Sequence, residues 1–109
     1  MKIIRTKFMR LIGKKYLLFF GFLLTAPKAK IAEIDMNHEA IHNAQMKEML
    51  YLFFYLWYLC EWIVRIFQYR DAHLAYRNIS FEREAYTNEK ELEYLRIRKR
   101  FAFIKYLWS

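Results

Sequence analysis

The chain has 109 residues, 57% of them apolar and 20% aromatic, with a formal net charge of +8. That length allows one domain with a modest core and excludes a separate regulatory module. The apolar share exceeds what a domain of this size hides from water, so lipid or a partner is expected to cover some of it.

Punctuation is scarce. There are two Gly and one Pro, and neither residue type occurs after Pro27, so long helices are expected over the rest of the chain. The predicted fold is mainly α with a short N-terminal β element, a single domain over 1–109. In segment 1–34, Lys2 to Lys15 is basic, and Tyr16 to Leu24 is an apolar and aromatic run interrupted only by Gly21. This run predicts a strand or hairpin, with a turn around Thr25 to Lys30 and a second short strand at Ile31 to Ile34. A membrane anchor is the competing reading, although the run is too short to cross a bilayer as a helix. A secretory signal fits poorly, because the basic region is long and Pro27 would follow the cleavage point.

Segment 35–70 predicts one helix capped by Asp35 or Asn37. From Met49 to Cys60 every residue is apolar or aromatic. Glu61 and Arg65 are four apart and can neutralise each other, which brings 49–67 near spanning length. Cys60, the one cysteine, excludes an internal disulfide and reads as a small hydrophobe, not a nucleophile. Segment 71–79 is a polar connection that carries the chain back along the apolar helix, with His73 exposed in it. In segment 80–109, Ser80 caps a helix, and Asn88 with Glu91 three residues on suggests a second start. The basic and aromatic tail through Phe101, Phe103 and Trp108 reads as an interfacial anchor. These aromatics and those of 53–58 lie in apolar runs, which argues against a nucleic-acid partner and for a membrane surface or bilayer.

The strongest chemical signal is His38-Glu39-Ala40-Ile41-His42. Two imidazoles four apart on a helix share a face and can grip one metal ion, with Glu39 beside it as general base to a zinc-bound water. The competing reading is a helix start with two surface histidines and a glutamate favoured by the helix dipole. A catalytic zinc takes three protein ligands, so a companion is needed. On an unbroken helix Glu61 stands about 30 Å along the axis from the histidines, out of range. The connection before Glu82 can retrace about 40 Å, enough to bring Glu82 back to them. A break between Lys47 and Phe54 would reopen the case for Glu61, though no Gly or Pro marks one. Gln45, one turn beyond His42, could hydrogen-bond the site, although a surface amide is the expected role.

Glu82-Arg83-Glu84-Ala85-Tyr86 resembles the E-x-x-A-D segment of membrane-embedded gluzincins such as the prenyl-protein peptidases, while the spacing of Glu61 resembles the aminopeptidase branch. From Met36 to Arg100 the chain also looks like small bacterial membrane-associated proteins with these segments. The resemblance implies a Zn2+ site of His38, His42 and Glu82, with Glu39 catalytic. Tyr86, where the family often has aspartate, would orient a ligand or donate to an oxyanion. Ala85 would let the two helices approach closely. The function implied is a zinc metallopeptidase that cleaves a peptide or protein substrate at the bacterial cytoplasmic membrane. The alternative is a non-catalytic membrane or interaction protein with a structural or vestigial metal site.

Overall fold

The computed structural model describes residues 2–6, 9, 16–20, 22–25 and 32–108. Three short strands precede a mainly helical body: β1 (Lys2–Arg5), β2 (Tyr16–Phe19) and β3 (Phe22–Thr25). Helices α1 (Glu33–Glu48), α2 (Leu52–Tyr69), α3 (Ala72–Arg77), α4 (Ser80–Asn88) and α5 (Tyr94–Ile97) follow, then a 3-10 helix at Ala102–Leu107. The expected fold class holds, with the helix of the H-E-x-x-H motif leading into an apolar helix and packing against a returning C-terminal helix.

The sheet order is β1-β3-β2, with β1 parallel and β2 antiparallel to β3. The hairpin turn therefore falls within the apolar run, between Phe19 and Phe22; Thr25 ends β3, and the rest of the turn expected at Thr25 to Lys30 lies outside the described residues. Phe20 takes a positive φ of 47° there. Tyr55 of α2 holds this turn: its hydroxyl accepts from the Phe20 N–H at 3.0 Å and donates to the Leu18 carbonyl at 3.3 Å. Lys2–Arg5, read only as a basic segment, forms the parallel strand. The expected second strand is absent as such, since Glu33 and Ile34 open α1, while Ile31 lies outside the described residues.

Helix α1 starts before the expected caps. Ala32 occupies the N-cap position, Asp35 sits in the first turn, and Asn37 is buried, its Nδ2 donating to the carbonyls of Asn88, Glu89 and Glu91. The long helix predicted from Asp35 to Arg70 is broken at Met49–Tyr51, where its axis turns by 110°. The break is a Schellman turn: the Tyr51 N–H reaches the Met46 carbonyl at 2.8 Å and the Leu50 N–H reaches that of Lys47 at 3.3 Å. Leu50 takes the left-handed position where glycine is usual, with φ of 53°. A left-handed leucine costs roughly 1–2 kcal/mol. Two hydrogen bonds of about 1 kcal/mol each offset this, and Tyr51 packs against the core cluster that contains Met46.

Segment 68–79 is not an irregular connection. Arg70 ends α2 with φ of 54°, and Asp71 caps α3 by accepting from the Leu74 N–H at 2.8 Å. Helix α4 does begin at Ser80, but Ser80 is not its own cap. The Glu61 carboxylate reaches across from α2, accepting the Ser80 N–H and, at 2.6 Å, its hydroxyl. Asn88 ends α4 and starts no new helix; its Nδ2 donates to the Glu84 carbonyl. Ala85 is fully buried against Ile41 and Tyr94, the close approach expected of a small residue. The main core gathers Leu18 and Leu23 of the sheet with Met46, Phe54, Ile79, Phe81 and Phe103.

Glu61 thus accepts hydrogen bonds from Ser80 and from the Trp57 indole, with Arg65 3.5 Å away. Truncating it leaves buried donors of α4 without acceptors, so Glu61→Ala is expected to lose about 3 kcal/mol of unfolding free energy in a urea titration.

Candidate metal centre

His38 and His42 lie one turn apart on the same face of α1, and α4 docks against that face. His42 Nε2 is 3.2 Å from His38 Nε2 and 3.0 Å from Glu82 Oε1, and His38 Nε2 is 3.4 Å from that same oxygen. All three residues are buried. A tetrahedral ion with nitrogen and oxygen ligands at about 2.0–2.2 Å has ligand atoms about 3.3–3.5 Å apart. The observed triangle matches this within a few tenths of an ångström, and the three residues could hold a metal ion.

The surrounding hydrogen bonds sharpen the fit. Gln45 is fully buried, contrary to its expected surface position. Its Nε2 donates to the Phe81 carbonyl at 3.1 Å and to Glu84 Oε1 at 3.0 Å, which fixes the amide orientation. Its oxygen therefore faces His42 Nδ1, 2.8 Å away, and Nδ1 must carry the hydrogen. His42 Nε2 is then a lone pair whenever the ring is neutral. His38 Nδ1 lies 3.5 Å from Glu89 Oε1, and its Nε2 is an acceptor in the neutral tautomer that carries the hydrogen on Nδ1. In that tautomer three acceptors converge on one point, an arrangement satisfied by a cation or by a proton. Glu82 Oε2 is oriented from outside by the Tyr58 hydroxyl, which donates to it at 2.7 Å.

The charges answer in kind. Burial alone would push His42 down, but the Glu82 carboxylate reverses this and raises it from 6.5 to about 9. Burial pushes Glu82 up, yet His42 and the hydrogen bonds from both histidines and Tyr58 outweigh it and hold Glu82 well below the usual carboxylate range. Glu39 is raised, chiefly by burial, with the two histidines opposing. It lines a cavity of about 260 Å³ together with His38, His42 and Glu82. Leu17 and Leu18 of the edge strand β2, and Tyr55, Tyr58 and Tyr76, complete its walls.

Of the two competing carboxylates, Glu82 meets the histidines. Glu61 does not, even though α1 and α2 are broken apart, because Ser80 and Trp57 engage it. Tyr86 lies next to the centre, but its ring stands edge-on to His38 with centroids 4.5 Å apart. Its hydroxyl meets that of Tyr76 at 3.0 Å and reaches no ligand. The tyrosine that orients a ligand is Tyr58, placed there by the break before α2. His73 is exposed on α3 and takes no part. No protein-family model matches the chain, and neither a curated protein nor a solved structure does.

Two outcomes follow for a divalent ion. Without an ion, His42 above its unfolded value contributes stability that is full below pH 6.5 and is lost as pH rises through about 9. Depressed Glu82 contributes stability present above 4.5 and lost as pH falls toward its folded value. Melting of chelated protein across pH is therefore expected to show greatest stability between about 4.5 and 6.5 from this pair. An ion must displace the His42 proton, so affinity should rise about tenfold per pH unit up to roughly pH 9, with proton release measurable by calorimetry in two buffers. Gln45→Leu removes the group that fixes the His42 ring and should weaken ion binding by about 10- to 100-fold in a competition titration.

Proposed function

We propose that the chain is a zinc-dependent peptidase with gluzincin-type chemistry, in which His38, His42 and Glu82 hold the ion and Glu39 is the general base. The observation that carries this reading is the convergence of two imidazole nitrogens and a carboxylate oxygen beside a fourth group, Glu39, that stands outside this triangle and faces the same cavity. A His, His, Glu set with tetrahedral spacing suits zinc and leaves a position open for a reactant. Bound there, zinc would supply a Lewis acid for the scissile carbonyl and lower the pKa of an attacking water.

The chain's own residues account for the remaining steps. Glu39, its carboxyl raised by burial and facing the cavity, takes a proton from the attacking water and returns it to the leaving amine. Tyr76 offers its hydroxyl to the developing oxyanion from the cavity wall, and Tyr86 positions it through their shared hydrogen bond. Strand β2 lies at the sheet edge with Leu17 and Leu18 on the cavity, so an extended peptide can add to it as a further strand.

Elemental analysis is expected to find one zinc per chain in wild type and none in His38→Ala or Glu82→Ala. Glu39→Gln should keep its zinc and lose about 100- to 10,000-fold in turnover on a peptide library. Zinc retention with unchanged turnover in Glu39→Gln would reduce the site to a structural one, and absence of zinc in wild type would remove it altogether.

A further inference from the structure

The outward side of α2 carries Leu52, Phe53, Leu56, Ile63, Val64 and Phe67 in the open, with Phe67 80% exposed. At helical periodicity these positions, with Leu59 and Cys60, fill an arc of about 140° of the helix circumference without one charged residue. The C-terminal segment lengthens the patch. Leu107 and Trp108 border an apolar groove of about 820 Å³ against α2, and Trp108 is 81% exposed. Contiguous apolar surface of this extent marks a docking site, not scattered surface leucines.

Charge identifies what docks. Exposed Lys47 precedes the turn into α2, and exposed Arg70 follows its last residue. Lys47 and Arg100 share a small cleft with Phe101 beside the α2 entrance. The neighbouring acid Glu48 is paired with Arg98, while at the other end Asp71 keeps its charge beside Arg70 and caps α3. The entrance end of the apolar face is therefore cationic. Two copies of a chain with net charge +8 would bring like charges together there, whereas an anionic lipid surface complements them. Tryptophan at the patch margin favours the boundary between headgroups and acyl chains. Among the described residues no single helix is long and apolar enough to cross a membrane.

We infer that α2 and Trp108 form a docking face for an anionic bilayer, on which α2 lies in the interfacial plane. The opposite side of the same helix sends Phe54, Tyr55 and Tyr58 to the metal cavity, so docking would place that cavity within a helix diameter of the lipid headgroups. The docking face itself does not depend on the peptidase reading.

Co-sedimentation with preformed vesicles tests it, using phosphatidylcholine alone and an equal mixture of phosphatidylcholine and phosphatidylglycerol. Wild type is expected to partition onto the mixed vesicles with a blue shift of tryptophan emission, and to be weakened by added salt. Val64→Asp and Phe67→Asp should each lower the partition coefficient about tenfold or more while retaining the wild-type circular dichroism and melting transition. Wild type that stays in the supernatant overturns the inference. So does a lipid-free dimer abolished by Val64→Asp, which would assign the face to a second copy. Protein recovered only in detergent, and never adding to preformed vesicles, overturns it in favour of a span.

Discussion

A buried carboxylate facing two imidazoles is the constraint around which the helices are arranged. Moving a carboxylate out of water costs several kcal/mol unless a positive partner meets it, and Glu82 is carried inside by α4 with His38 and His42 as the groups opposite that can turn positive and the Tyr58 hydroxyl on its other oxygen. The docking of α4 on α1 therefore requires a positive charge between them. A proton on His42 supplies it in one case and a metal ion in the other. Binding of an ion there would be coupled to folding through this one contact, since the unfolded chain has no such pocket.

The neighbouring carboxylate on α4 shows what a purely structural solution looks like. Glu84, two residues on, is fully buried and receives the Tyr94 hydroxyl at 2.7 Å, the Gln45 amide at 3.0 Å and the Arg98 guanidinium. Arg98 also pairs with Glu48 at the end of α1, at 2.9 Å. The chain thus gives Glu84 a permanent cation and gives Glu82 only groups that titrate. If both carboxylates served merely to pin α4, an arginine beside each would be the simpler arrangement. Gln45 joins the two systems, holding Glu84 with its nitrogen and His42 with its oxygen. The tautomer of the His42 ring is consequently set by the same network that clips the C-terminal segment to α1.

What could be read in the sequence was what depends on local periodicity. Two histidines at a spacing of four share a helix face by geometry alone, and Glu82 was within reach of any returning chain. The break at Leu50 was not legible, because a leucine holds the left-handed position that a glycine would have advertised. Tyr58 cannot be connected to Glu82 without that break, and the family resemblance points instead to Tyr86, four residues beyond Glu82. Gln45 looked like surface because amides usually are, and only its two acceptors, Phe81 and Glu84 on α4, keep it inside. The hairpin turn was displaced for a similar reason: Pro27 is a louder turn signal than Gly21, yet the register of β2 with β3 sets the turn between Phe19 and Phe22.

The polarity of the interior also bears on the apolar exterior. Asn37, His38, His42, Asn43 and Gln45 occupy buried positions on α1, with Ser80, Glu82 and Glu84 on α4, places that apolar side chains fill in an ordinary small domain. In a chain that is 57% apolar, a seam of this kind displaces hydrophobic residues outward, and α2 is where they emerge. Helix α2 is accordingly two-sided: Phe54, Tyr58 and Glu61 face inward to the core, the centre and the α4 start, and Val64 and Phe67 face outward. Exposed apolar area of this kind weakens a free monomer's solubility and is tolerable only where something covers it. The polar centre and the bare helix face are therefore two sides of one allocation of side chains: the positions that the interior gives to polar groups are matched by apolar ones on the surface of α2.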